Sequence, residues 1–495
     1  MATTTTRPRG TGQRFGVAGE HPHYRWWALS CTSLGMLLAA TNSGTLIIAL
    51  PNLERSLHAS LLALVWVILA YLIAATVLVL TAGRLSDLFG RKRAYVGGFI
   101  LFAAASLGAG LATSADVLII WRVLQGVASA FLFANAAALV TDAFPREQLG
   151  LAMGANTMVA AVGLVLGPVL GGLLVSLSWH WVFWFNVPLA LLGAAWGALV
   201  LHELAKPDTV RGFDPYGTGA FVLGLTGLVL AISRGGLTGW NDVVVVAGFA
   251  AAVVLLPVWI LIETRSRAPM LDLSIFRNRL FAAAGAAAFI NGLARFALMF
   301  LFVFYFQGAQ GDSPIEAGIK LAPLAIGMLI ASPPAGMWAD RHGSRGLAAL
   351  GMLLSAAGLA GMTTLQVHTP YAVAAALLAT VGVGSGLFNS PNTAAMMGVV
   401  PPYRRGVAAG ARTLLQNTGA VLSIAFVMAV VTAAVPKSTL FAVFSGVAAG
   451  LSEATLAPFI ANMHAALWCL AAVSFIGMFV CLLRPKHAAL AAEAA

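Results

Sequence analysis

The chain has 495 residues, of which 60% are hydrophobic and only 9% are charged. This leaves too little polar surface to cover a soluble globule, so the composition excludes a soluble protein and predicts one that is integral to a membrane. The formal net charge of +11 does not indicate a nucleic-acid partner, because the basic residues fall in short segments between apolar runs, where they orient membrane helices.

The sequence offers no pattern for a metal site or for a common enzyme. Cys31, Cys469 and Cys481 lie within apolar runs and lack the spacing of metal ligands or of a disulfide framework. No GxxxxGK(S/T) phosphate loop, HExxH motif or GxSxG motif is present. We therefore predict a protein that is not an enzyme and that binds no metal or cofactor.

Apolar runs of about 20 residues, the length that crosses a bilayer, predict an all-α protein with about fourteen transmembrane helices. The predicted spans are 27–50, 61–82, 94–112, 117–140, 151–175, 181–201, 215–233, 242–262, 280–306, 315–338, 346–366, 371–399, 407–434 and 463–483. An even number of spans places both termini on one side of the membrane. Because most of the 28 Lys and Arg residues then fall in the tails and the loops on that side, the positive-inside rule predicts that both termini are cytoplasmic. We expect a cell membrane (inner or plasma membrane) protein that is embedded in the lipid bilayer.

A charged segment between the second and third spans, Gly83–Arg93, returns after the tenth span as Gly336–Arg345. In each copy a Gly is followed by an Asp four residues later and by a second Gly after three more. Glycine permits positive backbone dihedrals, so each copy predicts a tight turn. Asp87 is expected to pair with Arg91 or Arg93, or to cap a neighbouring helix end. The repeat divides the chain into two similar halves.

Two further motifs lie in the fourth and fifth spans. Arg122 stands inside the fourth span and is followed by Gln125 and Gly126. A guanidinium in a membrane is costly, so it should face a wet cavity or a partner, or else only brace neighbouring carbonyls. In the fifth span, Gly163–Gly172 places glycines four residues apart and includes Pro168. This spacing predicts a flat face for close helix packing with a possible bend.

Together these motifs resemble the major facilitator superfamily of secondary transporters. The repeated charged segment is similar to its signature loop, Arg122–Gly126 to its fourth-helix motif, and the GPxxGG core at Gly167–Gly172 to the motif of its antiporters, which implies export. The spacing of the two signature copies implies two six-helix bundles with a helix pair inserted between them, as in the fourteen-helix drug:proton antiporter branch. The substrate path would then lie between the bundles at mid-depth.

The predicted domains follow from this arrangement. They are a cytoplasmic tail at 1–26, an N-terminal bundle at 27–201, an inserted pair with its connectors at 202–279, a C-terminal bundle at 280–483 and a second tail at 484–495. We also expect the loop 436–462 to be the longest on the outer side, and Glu316 to pair with Lys320 on one helical face.

The sequence departs from the antiporter branch at the usual proton carrier. Members typically have an Asp in the first helix, and Asn42 stands at the aligned position. An amide binds water or substrate but carries no proton near neutral pH. The ninth span adds Arg295 at its middle with Asn291 one turn before it. Arg295 is either a functional residue or a structural arginine satisfied by carbonyls or waters.

The leading hypothesis is a secondary transporter that exports hydrophobic drugs or natural products by alternating access, with the proton as coupling ion and a small molecule as substrate. The alternatives are an exporter of a specific amphiphilic anion or lipid-like metabolite, and a non-transporting sensor. Residues predicted to bind substrate or to couple transport are Asn42, Arg122, Gln125, Asn291 and Arg295. Residues predicted to control the conformational change are Gly83, Asp87, Gly90, Arg91, Asp340, Gly163, Gly167, Pro168 and Gly171.

Overall fold

A computed structural model describes residues 23–57, 59, 61–203, 214–266, 269, 271, 273–401, 404–432 and 453–485. Over these residues the chain is helical and contains no strand. The reason is physical: a lipid bilayer offers backbone groups no hydrogen-bonding partners, so a spanning segment satisfies them within its own helix. The chain has a mean hydropathy of +0.90, which suits this environment.

The first half contains seven helices, with the sixth predicted span divided into a short and a long one. Their bounds are α1 Tyr24–Leu57, α2 Leu61–Phe89, α3 Arg91–Gly110, α4 Ala115–Ala143, α5 Leu149–Leu177, α6 Trp181–Trp184 and α7 Asn186–Val200. Two helices follow before the second half, and they are α8 Pro215–Thr238 and α9 Val243–Arg265.

The second half also contains seven helices, because its second span is divided. Their bounds are α10 Arg279–Phe304, α11 Pro314–Lys320, α12 Ala322–His342, α13 Arg345–Met362, α14 Tyr371–Gly398, α15 Arg405–Thr432 and α16 Glu453–Leu482. A π-helical turn, Tyr305–Ala309, extends α10.

The described residues include fourteen helices of 15 residues or more, and each lies at one of the predicted spans. By length and hydropathy alone, eleven described helical stretches are suited to crossing a membrane. The predicted all-α membrane fold is therefore confirmed. The two halves meet mainly where α2 and α4 pack on α15, and where α5 packs on α12 and α14.

The helices predicted to be an inserted pair, α8 and α9, pack together, and α8 rests against α2 and α15 at one edge of the interface between the halves. Phe221 and Trp259 from the pair join an apolar cluster with Ile73 of α2 and Ala408 of α15. Most of the large side chains of α9 remain exposed, including Val253 and Val254. This exposure is expected of a helix that faces lipid.

Two local predictions were wrong, and the extent of a third feature was overestimated. The predicted tight turns are present but shorter than the signature segments, because α2 and α12 continue through Phe89 and His342 and leave only one or two residues for each turn. The helix of the last span begins at or before Glu453 instead of near 463, because Phe459 and Ile460 pack into the core. Residues 433–452 of the predicted outer loop lie outside the described part of the chain.

The second wrong prediction concerns Glu316 and Lys320, which take different partners. Glu316 forms a capping box with Ser313 at the start of α11, since their side chains and backbone N–H groups bond reciprocally. The Lys320 ammonium lies 2.5 Å from the Asp312 carboxylate instead. Local capping competes successfully with the pair expected from helical spacing.

Candidate functional site

The turns of the two signature segments share one geometry. Gly90 has φ 104° and Gly343 has φ 85°, which are backbone conformations that other residues rarely adopt. Gly90 is the only residue between α2 and α3, and Gly343 immediately follows α12. We call the end of the molecule that contains both turns the signature end.

Asp87 contacts both its own segment and the other half. Its Oδ1 accepts hydrogen bonds from Arg91 Nε at 2.9 Å and Nη2 at 2.8 Å. Its Oδ2 accepts from the backbone N–H of Val407 at 3.1 Å, in the first turn of α15. The carboxylate therefore neutralises a buried arginine and also interacts favourably with the positive end of a helix dipole from the opposite half.

Asp340 makes the reciprocal contact from the second half. Its carboxylate accepts from the backbone N–H groups of Gly150 at 2.8 Å and Leu151 at 3.2 Å, in the first turn of α5. Each signature aspartate thus caps the start of a helix in the other half. Because both contacts lie at the signature end, they hold the two halves together there.

Asp142, at the end of α4, extends this network and was missed in the sequence. One carboxylate oxygen accepts from Arg91, and the other accepts from Arg405 Nη1 of α15 at 3.0 Å. Glu203, which follows α7, accepts from the backbone N–H of Arg91 at 2.8 Å and so caps α3. The residues around Asp142 and Glu203 in the sequence do not indicate these contacts, since the partners of both acids come from distant segments.

Glycines allow the backbones of the halves to approach closely at the same end. A Cβ added at Gly336 would lie 1.9 Å from the carbonyl oxygen of Gly150, and one at Gly154 would lie 2.7 Å from that of Ser332. Ser390 Oγ also donates to the Gly150 carbonyl at 3.0 Å. Gly83 is buried within α2. Any larger residue at Gly150 or Gly336 would separate α5 from α12.

The predicted flat face of α5 packs within its own half, against α1. A Cβ at Gly163 would lie 2.7 Å from Ala40 Cβ, and one at Gly167 would lie 2.9 Å from Gly44 Cα. Gly171 is buried in the same helix. Pro168 belongs to α5 as well, but its side chain falls outside the described part of the structure.

Arg122 is the centre of a buried polar network in the first half. Its Nε donates to the Val67 carbonyl at 3.0 Å, its Nη1 donates to Gln125 Oε1 at 2.7 Å, and its guanidinium lies 4.4 Å from the ring centre of Tyr71. Gln125 Nε2 donates in turn to Ser106 Oγ at 2.7 Å. Arg122 and Gln125 are therefore satisfied by one another and by protein neighbours.

Asn42 joins the edge of this network. Its Oδ1 accepts from Asn186 Nδ2 at 3.3 Å, and its side chain lies beside the Tyr71 hydroxyl. Asn42 is 1% exposed, and its Nδ2 has no hydrogen-bond partner among the described residues. The structure thus brings Asn42, Arg122 and Gln125 together through Tyr71, a residue that no motif indicated.

Arg295 and Asn291 lie apart from that network, in α10. Asn291 is buried and contacts Met352 Sδ at 3.6 Å. The Arg295 guanidinium lies 5.3 Å from the Phe296 ring centre, and among the described residues its buried Nε has no hydrogen-bond partner. Its positive charge acts on Arg412 of α15, whose Nε is unpartnered in the same way. Arg295, which was predicted together with Arg122 to bind substrate or to couple transport, therefore lies near Arg412 and outside the network that holds Arg122.

Two overlapping stretches of the chain, residues 32–424 and 284–495, match the Major Facilitator Superfamily. The chain belongs to the major facilitator superfamily. Relatives within the superfamily include proteins named for export and resistance. The "Tetracenomycin C resistance and export protein" of Streptomyces glaucescens is 30% identical over 81% of this chain and 74% of its own length. The "Multidrug transporter protein MdtP" of Bacillus subtilis (strain 168) is also 30% identical, with the same coverage.

Solved structures of other superfamily members share the fold. The human organic anion transporter MFSD10 (TETRAN) superposes with a TM-score of 0.65 at 15% identity, over 93% of this chain and all of that one. The proton:xylose symporter XylE superposes with a TM-score of 0.63 at 13% identity, over 92% of this chain and 94% of that one. This likeness concerns the fold alone. As a member of the major facilitator superfamily, the chain is a membrane-spanning transporter with exporters among its relatives.

Proposed function

We propose that this chain exports hydrophobic drugs or natural products from the cytoplasm by alternating access, in antiport with protons. Both termini and the signature end would face the cytoplasm. The observation that carries the proposal is the reciprocal pair of contacts, Asp87 on α15 and Asp340 on α5, at one end of the interface. Breaking and remaking these contacts would open and close the cytoplasmic end, while the apolar halves move as packed units.

The proton would act at that end instead of at mid-membrane. Every acidic residue of the described helices lies within about one turn of a helix end, and Asn42 replaces the carboxylate of the first helix. Asp87 is buried at the interface, where it pairs with Arg91 of α3 and accepts from the backbone of Val407 in α15. Protonating it would remove the charge that favours these contacts, which couples proton uptake to separation of the halves.

Reconstituted vesicles with an imposed pH gradient test this proposal. In a panel of neutral, anionic and cationic hydrophobic dyes, at least one dye should accumulate in the direction of export in wild-type vesicles, and a protonophore should abolish the accumulation. Accumulation equal to that of protein-free vesicles would contradict export and favour the sensor. Accumulation that ignores both the gradient and the protonophore would contradict proton antiport while leaving export intact.

A further inference from the structure

Arg295 and Arg412 flank one close contact between the parallel helices α10 and α15. A Cβ added at Gly292 would lie 2.1 Å from the carbonyl oxygen of Gln416. Arg295 follows Gly292 by one helical turn, and Arg412 precedes Gln416 by one turn. The long side chains therefore start at most about 10 Å apart along the helices, and they are close enough for the charge of one to act on the other.

Neither guanidinium has a counter-ion in the part of the chain that the structure describes. The buried Nε atoms of both residues lack hydrogen-bond partners there. The described acidic residues of the helices all lie near helix ends, whereas Arg295 is nine residues from the nearer end of α10. Two like charges placed close together in an environment of low dielectric, with no carboxylate between them among the described residues, raise the free energy of the folded protein.

Two fully buried arginines of the chain, Arg91 and Arg122, have charged or polar partners. Arg91 pairs with Asp87 and Asp142, and Arg122 donates to the Val67 carbonyl and Gln125. The fold can therefore satisfy a guanidinium in its interior with its own groups, and among the described residues it offers Arg295 and Arg412 no such partners. Both side chains are also partly exposed, which leaves room for an external group to reach them.

We propose that Arg295 and Arg412 form a binding site for the acidic group of an amphiphilic organic anion, a carboxylate, phosphate or phenolate on an apolar body. This inference rests on the proposed function, for which it specifies the substrate class. Guanidinium groups bind such oxyanions through paired N–H donors, and an anion between the two would relieve their repulsion. The Phe296 ring beside Arg295 supplies an aromatic surface for the apolar body.

Binding of compounds with one apolar body and different head groups isolates the charge. We would measure binding of 1-pyrenebutyrate, its neutral alcohol 1-pyrenebutanol and a pyrenebutyl-trimethylammonium cation to the purified full-length protein in a neutral detergent. The wild type should prefer the carboxylate to the alcohol at least tenfold. Arg295→Gln and Arg412→Gln should each lower that preference at least fivefold, and Arg295→Lys should retain part of it.

Arg265→Gln is the matched control, because Arg265 is an exposed arginine in the last turn of α9, away from this contact. It should preserve the wild-type preference. Thermal unfolding in the absence of ligand identifies a variant that has merely lost its fold, since removing a charge that has no counter-ion among the described residues should not lower the melting temperature. A wild type with no preference for the carboxylate, or a preference that both glutamine variants retain, would overturn the anion site.

Two further arms separate the possible outcomes. The first arm measures whether phosphatidylglycerol added to phosphatidylcholine nanodiscs displaces pyrenebutyrate. Displacement that requires both arginines would support the site with a lipid headgroup as its anion. No displacement would support a free organic anion. Arginine-dependent binding without gradient-driven export would overturn the exporter and keep the anion site. The opposite outcome is export of the cation and the alcohol that Arg295→Gln does not change, together with binding that shows no preference for the carboxylate. It would overturn the anion site and keep the exporter.

Discussion

Arg122, Arg295 and Arg412 all lie within membrane helices, yet they have different surroundings. Arg122 is 1% exposed and donates to Val67 and Gln125, whereas the other two have no such bonds among the described residues. The geometry matches the interpretation of Arg122 as a structural brace, one of the two that its position in the sequence left open. The role of Arg295 in binding remains a prediction.

Replacing Arg122 and Arg295 by the apolar Met should therefore have opposite effects on stability. Arg122→Met leaves Gln125 Oε1 without its donor, and an unsatisfied buried acceptor costs about 1–3 kcal/mol of unfolding free energy. Arg295→Met removes a charge that has no counter-ion among the described residues and should be neutral or stabilising. Melting temperatures of the two variants in detergent check this, and a larger loss for Arg295→Met would contradict the assignment of partners.

Asn42 offers a second test at the scale of a single residue. Asn42→Asp introduces a titratable carboxylate beside Tyr71 and 3.3 Å from Asn186. We expect export to shift toward cations and to depend more steeply on pH, because the new group can exchange a proton in the membrane interior. Efflux of tetraphenylphosphonium between pH 6 and pH 8 measures both changes. Asn42→Leu, which removes the amide without adding charge, should show neither.

At the scale of helices, glycines determine how closely α5 approaches its neighbours. One stretch of α5 packs on α1 at Gly163 and Gly167, and the start of the helix packs on α12 at Gly150. A single helix therefore joins the interior of the first half to the interface between the halves. Its small residues are needed where backbones touch, since any Cβ there would displace the neighbouring helix.

Gly167→Leu should disturb this packing and trap the transporter in one conformation. The added side chain begins 2.9 Å from Gly44 Cα, and overpacking of this kind typically costs about 1–3 kcal/mol. Labelling of introduced cysteines from the two membrane sides should become one-sided. Gly219→Leu is the control, because nothing lies within 4 Å of a Cβ at that position of α8; unchanged labelling of the Gly167 variant would count against the packing argument.

At the scale of the whole molecule, each half makes the same kind of contact with the other half at the signature end. Asp87 and Asp340 occupy equivalent positions in their segments, and each caps the first turn of a helix across the interface. The two are unequal, because Asp87 also binds Arg91, which reaches Arg405 of α15 through Asp142. The described contacts of Asp340 are with backbone N–H groups alone.

Asp87→Asn should open the signature end and abolish transport, with a milder effect of Asp340→Asn. Ser332→Cys, in a Cys469→Ala background, provides the reporter, since Ser332 is 0% exposed and faces Gly154 across the interface. A thiol reagent should label it at least tenfold faster in the Asp87 variant. Asp116→Asn, an exposed acid in the first turn of α4, is the control; wild-type labelling and transport in the Asp87 variant would refute its role.

The sequence by itself determined the features that depend on neighbouring residues. Apolar runs fixed the helical spans, because each membrane helix satisfies its own backbone, and Gly90 and Gly343 fixed the turns, because only glycine adopts their positive φ readily. The tertiary structure alone decided which charges have partners. Asp87 reaches Val407 and Asp142 reaches Arg405 across hundreds of residues, while Arg295 lies near Arg412 and, within the part of the chain that the structure describes, pairs with no carboxylate. Such pairings depend on how the helices pack, and helical periodicity specifies a face of a helix without specifying its neighbour.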